Sequence, residues 1–148
     1  MNTLSDQLIM HIKSHLHICF DKDLIIDPHA SEPAFMKAIE SLAKMVLFYN
    51  TRPTLARVNE LDFLHLDFDK FNKTFLSGLW FNDVHIVSQP PPEQAEQFIE
   101  TACKFAESVS LVLPKKAQYA FPTNYQRLFS KDLPEKGMVF QIWLKADY

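Results

Sequence analysis

The sequence predicts an α/β domain in which a largely parallel β-sheet is covered by helices. Short apolar runs with the length of buried strands alternate along the chain with segments whose apolar residues recur at helical spacing. Parallel strands need crossover connections and are buried on both faces, so they appear as continuous apolar runs. Because 47% of the 148 residues are hydrophobic, there is enough apolar side chain for one sizeable core. We therefore expect residues 1–148 to form a single domain.

The chain begins with a predicted amphipathic helix over residues 4–17, in which Ser5 and Asp6 can cap the first turn. Its apolar residues recur at helical spacing: Leu4, Leu8, Ile12 and Leu16. The following run "DLIIDP", 23–28, is short, apolar and ended by a proline, which favours a buried strand. This strand begins the predicted core, which extends over residues 23–145.

Three further elements are predicted before the middle of the chain. Residues 32–44 form a helical pattern, with Pro33 in a position suited to the first turn. The run "MVLFYN", 45–50, predicts a second strand. Residues 60–68 alternate apolar and polar side chains, which predicts a strand or a strand end with one solvated face.

The second half of the chain repeats the alternation. "DVHIV", 83–87, predicts a strand, and residues 92–109 carry the clearest helical stripe of the sequence. "SLVLP", 110–114, predicts the next strand. Residues 115–136 show no regular pattern, and "MVFQIWL", 138–144, predicts a final strand.

Composition excludes several classes of function. The chain has two glycines where about ten would be average, so a glycine-rich phosphate loop is not expected. The net charge of −3 does not favour non-specific nucleic-acid binding. No run of 18 apolar residues and no signal peptide is present, which predicts a soluble, intracellular protein without a membrane partner. It would be cytoplasmic, or in the host cell if the source is viral.

No metal site is predicted. Cys19 and Cys103 form no CxxC pair, so they are expected to be buried thiols. His11 and His15 are four residues apart on one helical face, but no third ligand accompanies them. His65 with the nearby acids could suggest acid–base chemistry, although a solvated strand face explains the same pattern.

Ligands of parallel α/β sheets bind at the carboxyl ends of the strands. The segments that follow the predicted strands are Asp27–Ala34, Asn50–Pro53, Asp62 with its neighbours, and Gln89–Pro92. These residues are therefore the candidate site.

The segment "DVHIVSQPPPEQAEQFIETACKFAESVSLVLPKK" resembles a block of the class I S-adenosylmethionine-dependent methyltransferases of the amino-group (adenine N6) type. It is similar to their NPPF motif, the helix after it and a strand ending in Leu-Pro. "MVFQIWLK" is similar to the closing strand of some members. The resemblance covers about residues 23–145 and implies a three-layer Rossmann-like methyltransferase fold with a mostly parallel sheet.

The resemblance implies a cofactor site from which important residues are missing. In the family's first loop an acid and two glycines hold the cofactor; Asp27 matches the acid, whereas Ser31 and Pro33 occupy the glycine positions. Asn50 stands where an acid usually binds the ribose, and Asp62 matches the acid that contacts the adenine. The implied cofactor residues Asp27, Asn50 and Asp62 are thus an incomplete set.

The implied catalytic loop has changed as well. Gln89 replaces the family's Asn or Asp, Pro90 and Pro91 are retained, and Pro92 replaces the aromatic residue that stacks on the target base. Gln89 places its amide one methylene further out, and a displacement of about an ångström can cost roughly a hundredfold in rate. A proline cannot stack on a base as Phe or Tyr does.

We therefore expect a catalytically inactive methyltransferase-like protein that needs no cofactor and acts by protein–protein binding or scaffolding. One alternative is an active, divergent amino-methyltransferase that uses S-adenosylmethionine on nucleic acid. Another is a small structural protein of a virus or mobile element. The sequence does not decide the partner or the oligomeric state.

A partner surface is predicted in one connection. The segment "TFLSGLWFNDV" before the strand at 83–87 is rich in large apolar side chains: Phe75, Leu79, Trp80 and Phe81. Core packing is one interpretation, and an interface with a protein partner or a second copy is the other. "QPPPEQ" lies between a buried strand and a helix, which argues against a polyproline ligand.

Overall fold

In the computed structural model, residues 3–71, 81–116 and 118–146 are described, and they form one seven-stranded sheet with flanking helices. The strands are β1 Leu24–Asp27, β2 Met45–Asn50, β3 Asn59–Glu60, β4 Val84–Ser88, β5 Ser108–Pro114, β6 Tyr125–Leu133 and β7 Met138–Lys145. The α-helices are α1 Leu4–His15, α2 Pro33–Ile39, α3 Phe68–Phe71 and α4 Ala95–Ala102.

The strand order is β3-β2-β1-β4-β5-β7-β6. The first five strands in that order run parallel, while β7 is antiparallel to both β5 and β6. The chain moves outward from β1 through β2 to β3 and then returns to the other side of β1 with β4. The predicted mostly parallel α/β sheet is confirmed, and the switch point between β1 and β4 is where this class of sheet opens a crevice.

The apolar core lies on both faces of the sheet, because successive residues of a strand point to opposite sides. Ile25 faces α1 and α2 and packs with Ile39 and Phe140. Ile26 faces the other side and packs with Ile86 and Phe98. Burial of both faces explains why β1 and β4 are apolar throughout apart from their last residues and His85.

Helix α1 begins with a capping box. The Thr3 hydroxyl accepts a hydrogen bond from the Asp6 amide at 3.1 Å, and the Asp6 carboxylate accepts one from the Thr3 amide at 3.3 Å. The prediction of Asp6 as a capping residue is confirmed, whereas its partner is Thr3 and not Ser5. The helix ends at His15, two residues before the predicted end, because Leu16 is extended.

Of the strand or strand end predicted over residues 60–68, only Glu60 lies in a strand, and the prediction is wrong for the rest. β3 contains only Asn59 and Glu60, and a 3-10 turn follows at Phe63–His65. The Asp67 carboxylate accepts a hydrogen bond from the Lys70 amide at 3.1 Å and so caps the short helix α3. The alternating pattern reflects a turn that buries Phe63 and a helix start, so His65 and Asp67 do not share a strand face.

Residues 115–136, for which no regular pattern is predicted, contain the strand β6. This strand pairs with β7 along most of its length. A bulge between Arg127 and Phe129 breaks the alternation that would identify the strand. The turn that joins the two strands ends at Gly137, whose φ of 62° is left-handed and suits glycine.

The helices after β1 and β4 are shorter than predicted. α2 ends at Ile39 although the pattern extends to residue 44. Pro92–Gln94 form a 3-10 turn before α4, and Val109 belongs to β5. Within the described ranges, no helix has the length and apolarity needed to cross a membrane.

Of the predicted partner surface, Phe75, Leu79 and Trp80 lie outside the described residues. Phe81 is half-buried and packs against the core on the α4 side of the sheet.

Candidate functional site

Three buried polar side chains lie at the ends of β1, β2 and β4. Asp27 closes β1, Asn50 closes β2 and Ser88 closes β4. Because the three strands are parallel neighbours, their carboxyl ends lie at the same edge of the sheet. Asp27 and Asn50 therefore lie at the same edge of the sheet, although no hydrogen bond joins their side chains in the described part of the chain.

The Asp27 carboxylate is enclosed by the protein itself. Its Oδ1 accepts hydrogen bonds from the Ser88 hydroxyl at 2.6 Å and from the His29 amide at 3.0 Å. Only 1% of the residue is exposed. Burial raises the pKa of Asp27 to about 7, although the hydrogen bonds from Ser88 and His29 act in the opposite direction. This carboxyl group therefore holds its strand ends together and is poorly placed to bind a ligand.

The Asn50 amide is used in the same way. Its NH₂ group donates to the carbonyl of Ala30 at 3.1 Å, in the loop after β1. Its oxygen accepts from the Arg52 amide at 3.2 Å and from the Thr51 hydroxyl at 3.3 Å. Both ends of the side chain thus stabilise the loops around the site.

A small cleft lies beside this buried group, with a volume of about 200 Å³. Apolar side chains form much of its wall, together with polar residues from the loops after β1, β2 and β3: Pro28, His29, Thr51, Asp62, Phe63, Leu64, His65, Pro91, Gln94 and Phe98. Neither Asp27 nor Asn50 lines it. Pockets for ligands of drug-like size are roughly 300–1,000 Å³, so this cleft is smaller than such a ligand requires.

Polar groups at the cleft are few and partly paired. Asp62 Oδ2 lies 2.8 Å from Nδ1 of His65, and both side chains are largely exposed. His29 is half-buried with its ring edge-on to Phe98, at 6.3 Å between ring centroids. Burial lowers the pKa of His29, while Glu93 acts in the opposite direction. Asp62 is the one predicted cofactor residue that faces the cleft.

The proline loop is split by the fold. Pro91 lines the cleft, Pro90 is buried and Gln89 is half-buried without lining it. Pro92 is exposed and borders a separate groove of about 580 Å³ beside α4. The amide of Gln89 and the ring of Pro92 therefore do not meet at one ligand position.

Ser88 and His29 also determine the form of the site. Sequence reasoning missed Ser88, and it included His29 in the candidate segment Asp27–Ala34 without assigning it a role. Ser88 holds Asp27, and the His29 ring occupies part of the cleft wall. In contrast, Ser31 and Pro33 are exposed and line no part of the cleft, although both fill glycine positions of the resembling family. The signal in the sequence that could have identified Ser88 is its hydroxyl, directly before Gln89 and at the end of a buried strand.

The other predicted constellations stay apart from this site. The rings of His11 and His15 lie 4.4 Å and 4.6 Å from the ring of Phe129, measured between centroids. Across residues 3–71, 81–116 and 118–146, no three His, Cys, Asp or Glu side chains are placed to hold a metal ion. Cys19 and Cys103 are free and half-buried.

A second buried polar network lies at the opposite end of the sheet. Nε2 of His85 is 2.9 Å from Asp23 Oδ2, and its Nδ1 is 2.7 Å from the hydroxyl of Ser108. Although the residue types are those of a hydrolase triad, each is at most 2% exposed. The network joins the amino ends of three strands and has no access for a substrate.

Comparisons with known proteins identify the fold. No protein-family model matches the sequence, and no curated protein is significantly similar to it. The crystal structure of HI0767 from Haemophilus influenzae, a protein assigned as a methylase, is similar with a TM-score of 0.70 and 17% identity. That match covers 97% of this chain and 99% of the other.

Two further structures have the same fold. The 23S rRNA methyltransferase ErmE matches with a TM-score of 0.63 and 10% identity, over 95% of this chain and 66% of that one. The protein yhhF from Escherichia coli, assigned as a methyltransferase, matches with a TM-score of 0.60 and 9% identity, over 97% and 84% of the two chains. The chain thus has a Rossmann-like methyltransferase fold, and at these identities the likeness concerns the fold alone.

Proposed function

We propose that this protein is a methyltransferase-like protein without methyl-transfer activity, which acts by binding another protein. The observation that carries the proposal is the enclosure of Asp27 by Ser88 and the His29 amide. The acid that resembling enzymes direct at S-adenosylmethionine is here a buried link between two strands. With the remaining cleft at about 200 Å³, the described residues do not fit this cofactor.

The proline loop supports the same conclusion. An amine methyltransferase needs its amide and its stacking side chain beside the methyl donor, since position contributes strongly to the rate. Here Gln89 lies outside the cleft, and Pro92 borders a different groove.

Thermal denaturation with S-adenosylmethionine or S-adenosylhomocysteine tests the proposal. A ligand at a hundred times its dissociation constant adds about 2.7 kcal/mol to the free energy of unfolding, which a melting curve detects readily. We expect no shift with either compound at millimolar concentration. A clear rise in the melting temperature that Asp62→Ala abolishes and Lys136→Ala preserves would contradict the proposal.

An active amino-methyltransferase is the second candidate, and one observation favours it. Asp62 and Pro91, which the family resemblance places in the cofactor and catalytic loops, line the same cleft. Incubation with methyl-labelled S-adenosylmethionine and adenine-containing single- or double-stranded nucleic acid separates the two functions. Label transfer that is lost in Gln89→Ala would favour the enzyme.

A further inference from the structure

A cavity with both apolar and polar walls lies at the end of the sheet opposite the cleft, between the segment that joins α1 to β1 and the residues that follow α2. Phe20 is 50% exposed there, and Met10 on α1 is 54% exposed. In the part of the chain that the structure describes, these are the two exposed large hydrophobic side chains. Exposed apolar side chains beside a concave surface are typical of binding sites.

The cavity has a volume of about 310 Å³, and Phe20 forms one of its walls. Leu16 and Leu42 contribute apolar walls and belong to the hydrophobic core behind them. Ile18 is half-buried and completes the apolar lining. The cavity is therefore suited to receive one large apolar side chain.

Basic residues surround this cavity. Lys13 and His17 line it directly. The Lys44 amide donates to the Phe20 carbonyl at 2.8 Å, and Lys22 follows Phe20 by two residues. None of the three lysines is in an ion pair within the described ranges.

Acidic residues neutralise this charge only in part. Asp23 is buried, and its carboxylate is engaged by His85 and by the amide of Cys19. Asp21 is the one exposed acid between α1 and β1, and the exposed Asp83 lies beside this segment, since its amide donates to Asp23 Oδ1 at 3.4 Å. Three lysines against these two acids leave the surroundings of the partly apolar cavity net positive.

The segment is also held in a fixed conformation. The amides of Lys22 and Asp23 donate to the carbonyl of Cys19 at 3.1 Å and 2.9 Å, and Asp23 Oδ2 accepts from the Cys19 amide at 3.0 Å. A surface that is ordered before binding loses less entropy when a partner docks.

We propose that this surface, formed by Lys13, Phe20, Lys22, Lys44 and the cavity they surround, binds an acidic segment of a partner protein. A large apolar side chain of that segment occupies the cavity, and flanking carboxylates face the lysines. The inference rests on the proposed binding function and specifies the chemistry of the partner.

Charge and shape favour this occupant over others. A second copy would bring an identical set of lysines to the same surface, which like-charge repulsion opposes. A membrane would be entered by protruding apolar side chains, whereas here the apolar surface is concave. Nucleic acid would complement the lysines but would leave the cavity without an apolar side chain.

A set of fluorescent acidic peptides tests the inference. Each peptide carries Asp and Glu on both sides of one central Leu, Met, Phe or Trp, and control peptides carry Ala at the centre or Lys in the flanks. Binding is measured by anisotropy with the full chain and located by amide chemical shifts. We expect binding by the acidic, apolar-centred peptides, with shifts at residues 13–22 and 41–44.

Variants define the expected losses. Phe20→Ser and the double variant Lys13→Glu with Lys44→Glu should each weaken binding by at least about tenfold. Lys136→Glu, an exposed lysine in the turn before β7, should leave binding unchanged. Because all of these side chains are exposed, the melting temperature should stay close to that of the parent.

Four results would overturn the inference: no binding by any acidic peptide, shifts located elsewhere, binding only to anionic vesicles or nucleic acid, and a dimer that Phe20→Ser dissociates. Each is independent of the melting experiment with S-adenosylmethionine, which reports on the opposite end of the sheet. Cofactor binding with intact peptide binding would remove only the claim that the protein is inactive. If the protein binds neither the cofactor nor the peptides, only the claim of an acidic-partner surface would be contradicted.

Discussion

The hydroxyl of Ser88 donates a 2.6 Å hydrogen bond to the carboxylate of Asp27, and this contact joins the carboxyl ends of β4 and β1. Both residues are almost fully buried. A charged carboxylate at such a position is costly unless several donors satisfy it. Asp27 accepts hydrogen bonds from two donors, the Ser88 hydroxyl and the His29 amide. The pair therefore makes the closed site sensitive to pH.

The first prediction concerns Asp27 and pH. Its pKa is raised from 3.8 to about 7 by burial, so the folded protein keeps a proton that the unfolded chain releases. The contribution of Asp27 to stability is thus fully present at low pH and is lost as the pH rises to about 7. Denaturant titrations at pH 5 and pH 8 should show that Asp27→Asn gains roughly 2–3 kcal/mol relative to the parent across this interval.

Asp62→Asn is the matched control for this experiment, because Asp62 is exposed at the mouth of the cleft. It should leave the difference between pH 5 and pH 8 unchanged. If Asp27→Asn also follows the parent at both pH values, the carboxyl group titrates in its ordinary range and is not enclosed.

The second prediction concerns Ser88. Ser88→Ala removes a donor to a buried carboxylate and should lower the free energy of unfolding by about 1–3 kcal/mol at pH 8. The loss should be smaller at pH 5, where Asp27 is protonated. In the Asp27→Asn background the effect of pH on the Ser88→Ala loss should disappear, which a double-mutant cycle at both pH values measures. A loss that is the same at both pH values would contradict the coupling.

The third prediction concerns the network at the amino ends of the strands. Asp23→Ala leaves His85 buried without its carboxylate partner and also removes the acceptor for the Cys19 amide. We expect a loss of about 3–5 kcal/mol in the free energy of unfolding, as for other buried pairs that lose one member. Asp23→Asn retains an acceptor and should cost less. Asp62→Ala, which breaks an exposed Asp–His pair, should cost under about 1 kcal/mol.

The sequence predicts the central strands well because parallel strands buried on both faces need continuous apolar runs. β2 matches its predicted limits, and β1 and β4 differ from theirs by one residue at each end. β6 is not predicted, since its bulge breaks the alternation and its partner β7 stabilises it. The alternation around His65 indicates a strand. In the structure a turn and a capped helix occupy this segment, and they bury Phe63 and Phe71 as a strand would have to do.

The candidate site is likewise predictable from the sequence only in part. The predicted strand ends place Asp27, Asn50 and Asp62 at one edge of the sheet, because the carboxyl ends of parallel strands lie together. Their orientation does not follow from any local pattern. Ser88 is 61 residues from Asp27, and their contact depends on the register between β1 and β4.

The last prediction concerns the contact between α1 and β6. The His11 ring stacks on Phe129, and burial together with Lys131 and His15 lowers the pKa of His11. The unfolded chain therefore takes up the proton first as the pH falls below about 6.5, and stability decreases toward acid. This direction is opposite to that of Asp27, so the two effects partly cancel in the parent protein.

Asp27→Asn provides the background in which the effect of His11 can be measured. In that background, His11→Phe keeps an aromatic ring against Phe129 but cannot be protonated, and it should reduce the loss of stability between pH 7.5 and pH 5.5. Part of the loss should remain, because burial also lowers the pKa of His29. Lys131→Gln should act in the same direction as His11→Phe, since it removes one of the charges that disfavour protonated His11. Hydrogen exchange of the α1 amides, corrected for the intrinsic effect of pH, locates the change. Equal protection at both pH values in the Asp27→Asn protein would show that His11 does not control this contact.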